Sequence, residues 1–289
     1  MKKISVVCLV LLFIGSGFMG AERYPVEKKE TIQKNLNFSD PNGVKGLQVD
    51  NIWGYISVEG YSGTEVQLLV NKTIKAKNQD SLEKAQKEVT LDITTEGNTI
   101  DLYVDGPFRC RDERGNSIHW RNPGYQVHYD FELKVPYKTN LYVKTVTDGD
   151  INVENVEGDF NVKNVNGKID MKDVAGSGEA HTVNGWVKVI FTRNPDSSCS
   201  FKTINGDLEL AFPNAPSAEF LLKTFNGDAY SDFPVKYLAA QPGKGERKNG
   251  KYVYKSGRFF SVQSGKGGPE IKLDTLNGDI LLAQKNKDN

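Results

Sequence analysis

The sequence predicts an all-β chain: a single-stranded, β-helix-like solenoid preceded by N-terminal strands and one short helix. Two observations predict it. A short glycine-centred motif recurs at a near-constant interval through the C-terminal half. Most of the remaining chain alternates apolar and polar residues, the period of a strand. At 289 residues the chain suffices for one large all-β unit or two joined ones. Lys plus Arg and Asp plus Glu are equal at 37 each. No net field therefore favours nucleic acid or anionic lipid; no nucleic-acid partner is expected, and local patches must carry any electrostatic argument.

Taken in order, residues 1–20 read as a secretory signal. Lys2 and Lys3 form a basic start, residues 4–14 an apolar run, and Gly15 to Ala21 a small-residue stretch, with cleavage expected between Gly17 and Ala21. The run is short for a bilayer span, so the exported chain is expected not to cross a membrane. Cys8 lacks the context of a lipid-anchored cysteine. Residues 21–45 are a polar leader, expected to be poorly ordered or an edge strand. Residues 46–140 form an N-terminal β region. Within it, Asp80 to Val89 predicts a helix with Asp80 or Ser81 as cap and Leu82, Ala85 and Val89 on one face. Glu96-Gly97-Asn98 between two alternating runs predicts a hairpin. Residues 105–126, with Pro107, Gly115, Pro123 and several arginines, predict a long surface loop.

From 141 to 284 the chain repeats, with an insertion at 233–270. Copies include Val146-Thr147-Asp148-Gly149-Asp150, Val165-Asn166-Gly167-Lys168 and Val183-Asn184-Gly185-Trp186. Ile204-Asn205-Gly206-Asp207, Phe225-Asn226-Gly227-Asp228 and Leu276-Asn277-Gly278-Asp279 follow. Gly149, Gly158 and Gly167 are nine apart; later steps are eighteen and twenty-one. Ile52-Trp53-Gly54-Tyr55-Ile56 reads as an isolated early copy. Each nine-residue unit is expected to hold two short strands and two turns, with the aliphatic residues on both sides of Asn-Gly pointing inward. Such a unit cannot bury its own apolar face, so units must stack.

Several residues are candidates for chemistry. Asp150, Asp159, Asp207, Asp228 and Asp279 follow repeat glycines and are expected near one line, where they would either bind a cation such as calcium or serve as ordinary turn residues. Lys168 and Trp186 interrupt that line. Arg109, Arg111, Arg114, Trp120 and Arg121 in the long loop, with Trp186, are candidates for an anionic or sugar-like ligand; the alternative is a solvated insertion. Cys110 and Cys199 either form a disulfide, which export would permit, or remain thiols. The histidines 119, 128 and 181 sit in unrelated contexts, and no serine-hydrolase or zinc-protease motif occurs. No catalytic residue can be named and no cofactor is expected.

Phe131-Glu132-Leu133-Lys134-Val135-Pro136, the Val146 to Ile151 segment and the run of Thr-x-Asn-Gly-Asp copies together resemble a bacterial family, the "putative adhesin" domain of unknown function, whose members are toastrack-like β-solenoids. The resemblance covers most of residues 47–282. It implies the solenoid fold and carries no catalytic residues. The expected function is a non-catalytic binding or scaffold protein, exported to the periplasm or cell surface, with an envelope protein or glycan as partner. The rival reading is a β-helix polysaccharide-active enzyme, lyase or hydrolase. It would need acids crowded at one groove, whereas the polar positions change from rung to rung.

Overall fold

The computed structural model describes residues 24–109, 123–238, 246–248, 251–253 and 259–285. The signal segment and loop residues 110–122 therefore lie outside the described residues. Strand β1 spans Val26–Asn37, β2 Lys45–Asp50, β3 Ile56–Tyr61 and β4 Glu65–Ala76. Helix α1, Gln79–Glu88, is followed by β5 (Thr90–Glu96), β6 (Thr99–Asp105), a 3₁₀ turn at Pro107–Arg109, and β7 (Tyr125–Pro136). The repeats then supply β8 (Thr139–Lys144), β9 (Ile151–Glu154), β10 (Phe160–Lys163), β11 (Ile169–Val174) and β12 (Gly178–His181). Next come β13 (Val187–Phe191), β14 (Cys199–Lys202), β15 (Leu208–Phe212), β16 (Ala218–Lys223) and β17 (Ala229–Ser231). The insertion holds β18 (Lys236–Tyr237), β19 (Glu246–Lys248), β20 (Lys251–Val253) and β21 (Phe260–Ser264). The chain closes with β22 (Glu270–Asp274) and β23 (Ile280–Gln284).

Apart from β19 and β20, which pair only with each other, these strands form two large sheets with the core between them. Sheet A runs β1-β4-β7-β3-β9-β11-β13-β15-β23-β17; sheet B runs β18-β21-β16-β22-β14-β12-β10-β8-β2-β6-β5. The nine-residue interval therefore marks one strand and one corner, not the two strands and two turns expected. A full coil is eighteen residues in the early repeats and twenty-one in the next, because consecutive repeat strands fall in opposite sheets and, from β9 to β13, each pairs in parallel with the strand two places on. Ile169 stands opposite Ile151 and Val187, for example. Inward residues alternate with outward ones along each strand, so stacking builds a continuous apolar column. Phe191 stacks on Phe212 at 5.5 Å, and Phe212 meets Phe220 edge-on at 6.0 Å.

The order of coils in space is not their order in sequence. The first coil, β2 with β3, lies between β6–β7 and β8–β9. The last coil, β22 with β23, lies between β14–β15 and β16–β17. Each end of the coil-forming chain is thus held on both sides. The Ile52–Ile56 motif, isolated in sequence, stacks directly beside Gly149.

The leader supplies an edge strand: β1 pairs antiparallel with β4 along its whole length. Helix α1 lies where expected, but its cap is Asn78, whose Oδ1 accepts from the Ser81 amide at 2.9 Å. Leu82, Ala85 and Val89 are buried. At its far end, Lys72 Nζ donates to the Val89 carbonyl at 2.8 Å and lies 5.2 Å from the Tyr129 ring centroid. Burial lowers the Lys72 pKa. The Gly97-Asn98 hairpin forms as read, Glu96 opposite Thr99. No helix among the described residues is long and apolar enough to cross a membrane.

The interleaving gives a testable outcome. Amides of β22 and β23 will exchange as slowly as those of the central coils although they are nearly the last in the chain, while those of β17 at the sheet edge exchange faster. Residue-resolved hydrogen exchange reads this directly; rapid exchange in β22 would contradict the order of coils given above.

Candidate functional site

Each residue of the Thr-x-Asn-Gly-Asp motif has a separate task at the corner joining sheet B to sheet A. The glycines stack in the order 54, 149, 167, 185, 206, 278, 227. A Cβ on Gly206 would sit 2.1 Å from the Gly185 carbonyl oxygen, and one on Gly278 2.0 Å from that of Gly206. The threonine three residues earlier is drawn inward to bond that same carbonyl. Thr182 Oγ1 donates to Gly167 O at 2.8 Å, Thr203 to Gly185 O at 2.8 Å, Thr275 to Gly206 O at 3.0 Å and Thr224 to Gly278 O at 2.8 Å. Asn184, Asn205, Asn277 and Asn226 form a side-chain ladder with Asn166, each link 2.7 Å.

The aspartates complete the set. Asp150 Oδ1 accepts from the Lys168 amide at 3.0 Å, Asp207 from Asp279 at 2.8 Å and Asp279 from Asp228 at 2.9 Å. Asp159 is not on this line. It follows Gly158 at the opposite corner, where its carboxylate accepts from the Ser177 amide at 3.0 Å. The expected single line of five is corrected to four on one corner and one on the other, because nine residues is half a coil. Among the described residues no three His, Cys, Asp or Glu side chains gather as a metal-holding group.

A second correction concerns the aliphatic residue before Asn. Val165, Val183, Ile204, Leu276 and Phe225 face outward, with Phe225 72% exposed. Threonine, or Asn164 in the copy with Val165, has taken the inward slot, and alternation sends its neighbour out.

The loop candidates divide. Arg111, Arg114, Trp120, Arg121 and Cys110 lie outside the described residues. Arg109 is committed internally. Its Nη1 meets Asp50 Oδ1 at 2.9 Å, Nη2 donates to Asp50 O at 2.9 Å and Nε to Val104 O at 2.9 Å, and its guanidinium lies 4.3 Å from the Tyr103 ring centroid. Trp186 is 48% exposed with Lys168 Nζ 5.2 Å from its ring centroid. Cys199 is buried in sheet B, where burial pushes its thiol pKa up.

The two outer faces differ in charge. On sheet A, cations meet acids on neighbouring strands: Lys134 with Glu59 at 3.3 Å, Lys172 with Glu154 at 3.2 Å and Lys188 with Glu209 at 3.0 Å. An open depression of about 500 Å³ on this face is lined by Gln33, Asn35, Tyr55, Glu132, Lys134 and Asn152, among others. Tyr55 Oη donates to Glu132 at 2.8 Å, and burial together with that carboxylate pushes the phenol pKa up to about 12. On sheet B, one outward row reads Asp50, Lys144, Lys163, His181, Lys202, Asp274, Lys223 across adjacent strands. Asp50 pairs with Arg109 and, at 3.7 Å, with Lys144; Asp274 pairs with Lys223 at 3.4 Å. Lys163 and Lys202 meet no carboxylate within 4 Å among the described residues. Sequence reasoning missed this row. Its signal is the residue just before the motif's Thr or Asn: Lys144, Lys163, His181, Lys202 and Lys223 all occupy it.

The corner chemistry makes a sharp prediction. Gly206→Ala will destabilise the fold by about 3 kcal/mol, since backbone must move, whereas Gly97→Ala, at φ +58 with nothing within 4 Å, will cost about 1 kcal/mol. Urea unfolding midpoints separate the two; equal shifts would remove the close approach as a constraint.

The family model described as Toastrack DUF4097 matches residues 137–283. Among solved structures, a "putative cell adhesion protein" from Clostridium sporogenes is 11% identical, with 90% of this chain and 100% of that one covered at a TM-score of 0.37. A "putative adhesin" from Bacteroides fragilis is 9% identical, covering 88% and 97% at 0.35. A "putative lipid binding protein" from Parabacteroides distasonis is 12% identical, covering 89% and 97% at 0.28. With identities and TM-scores this low, the family match alone defines the relationship. No curated protein matches the chain.

Proposed function

The chain belongs to the Toastrack DUF4097 family, and from that membership and its stacked coils we propose that it is a non-catalytic binding or scaffold protein of the cell envelope. One observation carries the reading. Most acids of the repeat corners are engaged in building the solenoid: Asp150, Asp159, Asp207 and Asp279 accept rung-to-rung amides, and Asp228, on the outermost rung, is the one motif aspartate that does not. In the sheet A depression Glu59 is paired with Lys134 and Glu132 accepts from Tyr55. What remains available is broad sheet surface, suited to contact over an extended area. The signal segment supports placing the protein outside the cytoplasm, with an envelope glycan or protein as partner.

The purified protein, immobilised and exposed to envelope extract with and without chelator, is expected to retain a component saturably and to release no product from a polysaccharide panel. Turnover of any polymer in that panel, abolished by Glu132→Gln, would overturn the reading and restore the enzyme alternative. Retention abolished by the chelator would instead recast the corner aspartates as calcium ligands.

A further inference from the structure

We propose that the outer face of sheet B binds a linear anionic polysaccharide laid along the solenoid axis, with Lys163, Lys202 and Lys272 contacting its charged groups. This rests on the binding reading above and names its ligand class.

The argument begins with register. Lys144 stands directly opposite Lys163, Lys163 opposite His181, and His181 opposite Lys202. Lys272 adjoins them one row over, opposite Ser200. Like charges facing each other on neighbouring strands destabilise a sheet. On sheet A, by contrast, Lys134, Lys172 and Lys188 each meet an acid on a neighbouring strand, and the like charges that do face each other there are the acids Glu59 and Glu154. The row on sheet B is therefore a local departure from the molecule's own pattern, held on a rigid surface.

The interleaved coils set its limits. Asp50 comes from the first coil and Asp274 from the last, and their insertion places one acid at each end of the basic run. Each is already engaged, Asp50 by Arg109 and Asp274 by Lys223. Between them the cations are spaced by the strand repeat. From β8 to β22 the patch covers roughly 19 Å, at about 4.8 Å per strand. A regular row of single charges matches a polymer with one acidic group per sugar better than a compact anion.

In the neighbouring outward row Asn161 and Ser200 offer hydrogen bonds to hydroxyls, and Glu179 between them can accept from a hydroxyl but repels an acid group, so the polymer's charges belong over the lysine row and its hydroxyls over this one. Tyr142, 50% exposed, stands at one end of this row as a stacking surface. At the other, Phe259 lies 4.6 Å from Lys272 Nζ and 5.4 Å from that of Lys223. His181 Nε2 is 3.2 Å from Ser200 Oγ. Burial, with Lys163, Lys202 and Lys272 adding to it and Glu179 opposing, holds the imidazole pKa below the usual histidine value. A polyanion over the row favours its protonation, so binding tightens as pH falls through the range where His181 gains its proton.

The test uses the full chain with polygalacturonate as probe, neutral dextran and phosphatidylglycerol vesicles as comparison arms, and calorimetry as readout. Polygalacturonate is expected to bind and dextran not, with affinity falling on going from about 0.05 M to about 0.5 M salt. Lys163→Gln/Lys202→Gln should lower affinity roughly tenfold without lowering the melting temperature, since it relieves repulsion. Lys134→Gln on sheet A should leave binding unchanged, and His181→Gln should remove the pH dependence. Equal affinity in the double variant, equal binding of dextran, or binding to vesicles alone would overturn the proposal. If polygalacturonate does not bind but wild type and double variant both retain the same envelope component, this inference fails and the binding reading stands. If neither retains anything, the reading it rests on fails too.

Discussion

Everything in this solenoid depends on how closely one glycine corner approaches the next. The backbone of each rung lies where a side chain's first carbon would collide with the carbonyl of the rung before it. That proximity lets a threonine hydroxyl reach the preceding glycine carbonyl, brings asparagine amides into ladder contact, and carries an aspartate to a neighbouring amide. The inward aliphatic column follows from it: once the corner is set, the strands leaving it must lie in register, and their alternate residues must share one interior. A corner with any larger residue would hold the coils apart and disturb the parallel pairing on both sides.

This accounting bears on function. The motif's polar residues invite a reading as ligands or catalysts because they recur and are exposed. Their partners are instead other copies of themselves. Asp207 and Asn205 are better understood as internal joints than as a site. The surfaces free to specialise are the outward positions that no joint uses, and there the two sheets diverge: sheet A pairs its lysines with acids, and sheet B sets Lys144, Lys163, His181 and Lys202 side by side in one row.

Much of the fold was legible in the sequence, and the reasons for the rest are particular. The repeat, the helix around Ala85, the hairpin at Gly97 and the inward residue after each glycine are local patterns, written in adjacent residues. That eighteen residues make one coil is not local: nothing in Gly149-Asp150 or Gly158-Asp159 says that they occupy opposite corners, because both corners use the same turn chemistry. The inward threonine was hidden for a similar reason, since Thr203 bonds a carbonyl of the previous coil. Asn78, and not Asp80 or Ser81, caps the helix because the first helical residue is Gln79, two residues before the one an Asp80 cap would give. The basic row could have been found by aligning the residue before each motif, where Lys163, His181 and Lys202 recur, but only the pairing of β22 shows that Asp274 interrupts it.

The interleaved coil also makes folding depend on the arrival of residues 270–284. As the protein emerges from its amino end, β14 and β16 exist before the strand that belongs between them. Until the final segment arrives, either their edges stand open or they meet each other prematurely and must later part. A chain cut short before residue 270 would keep that fault at its centre, exposing unsatisfied strand edges of the kind that recruit other chains. The inserted coil thus acts as a keystone: the strands on its two sides are paired only through it.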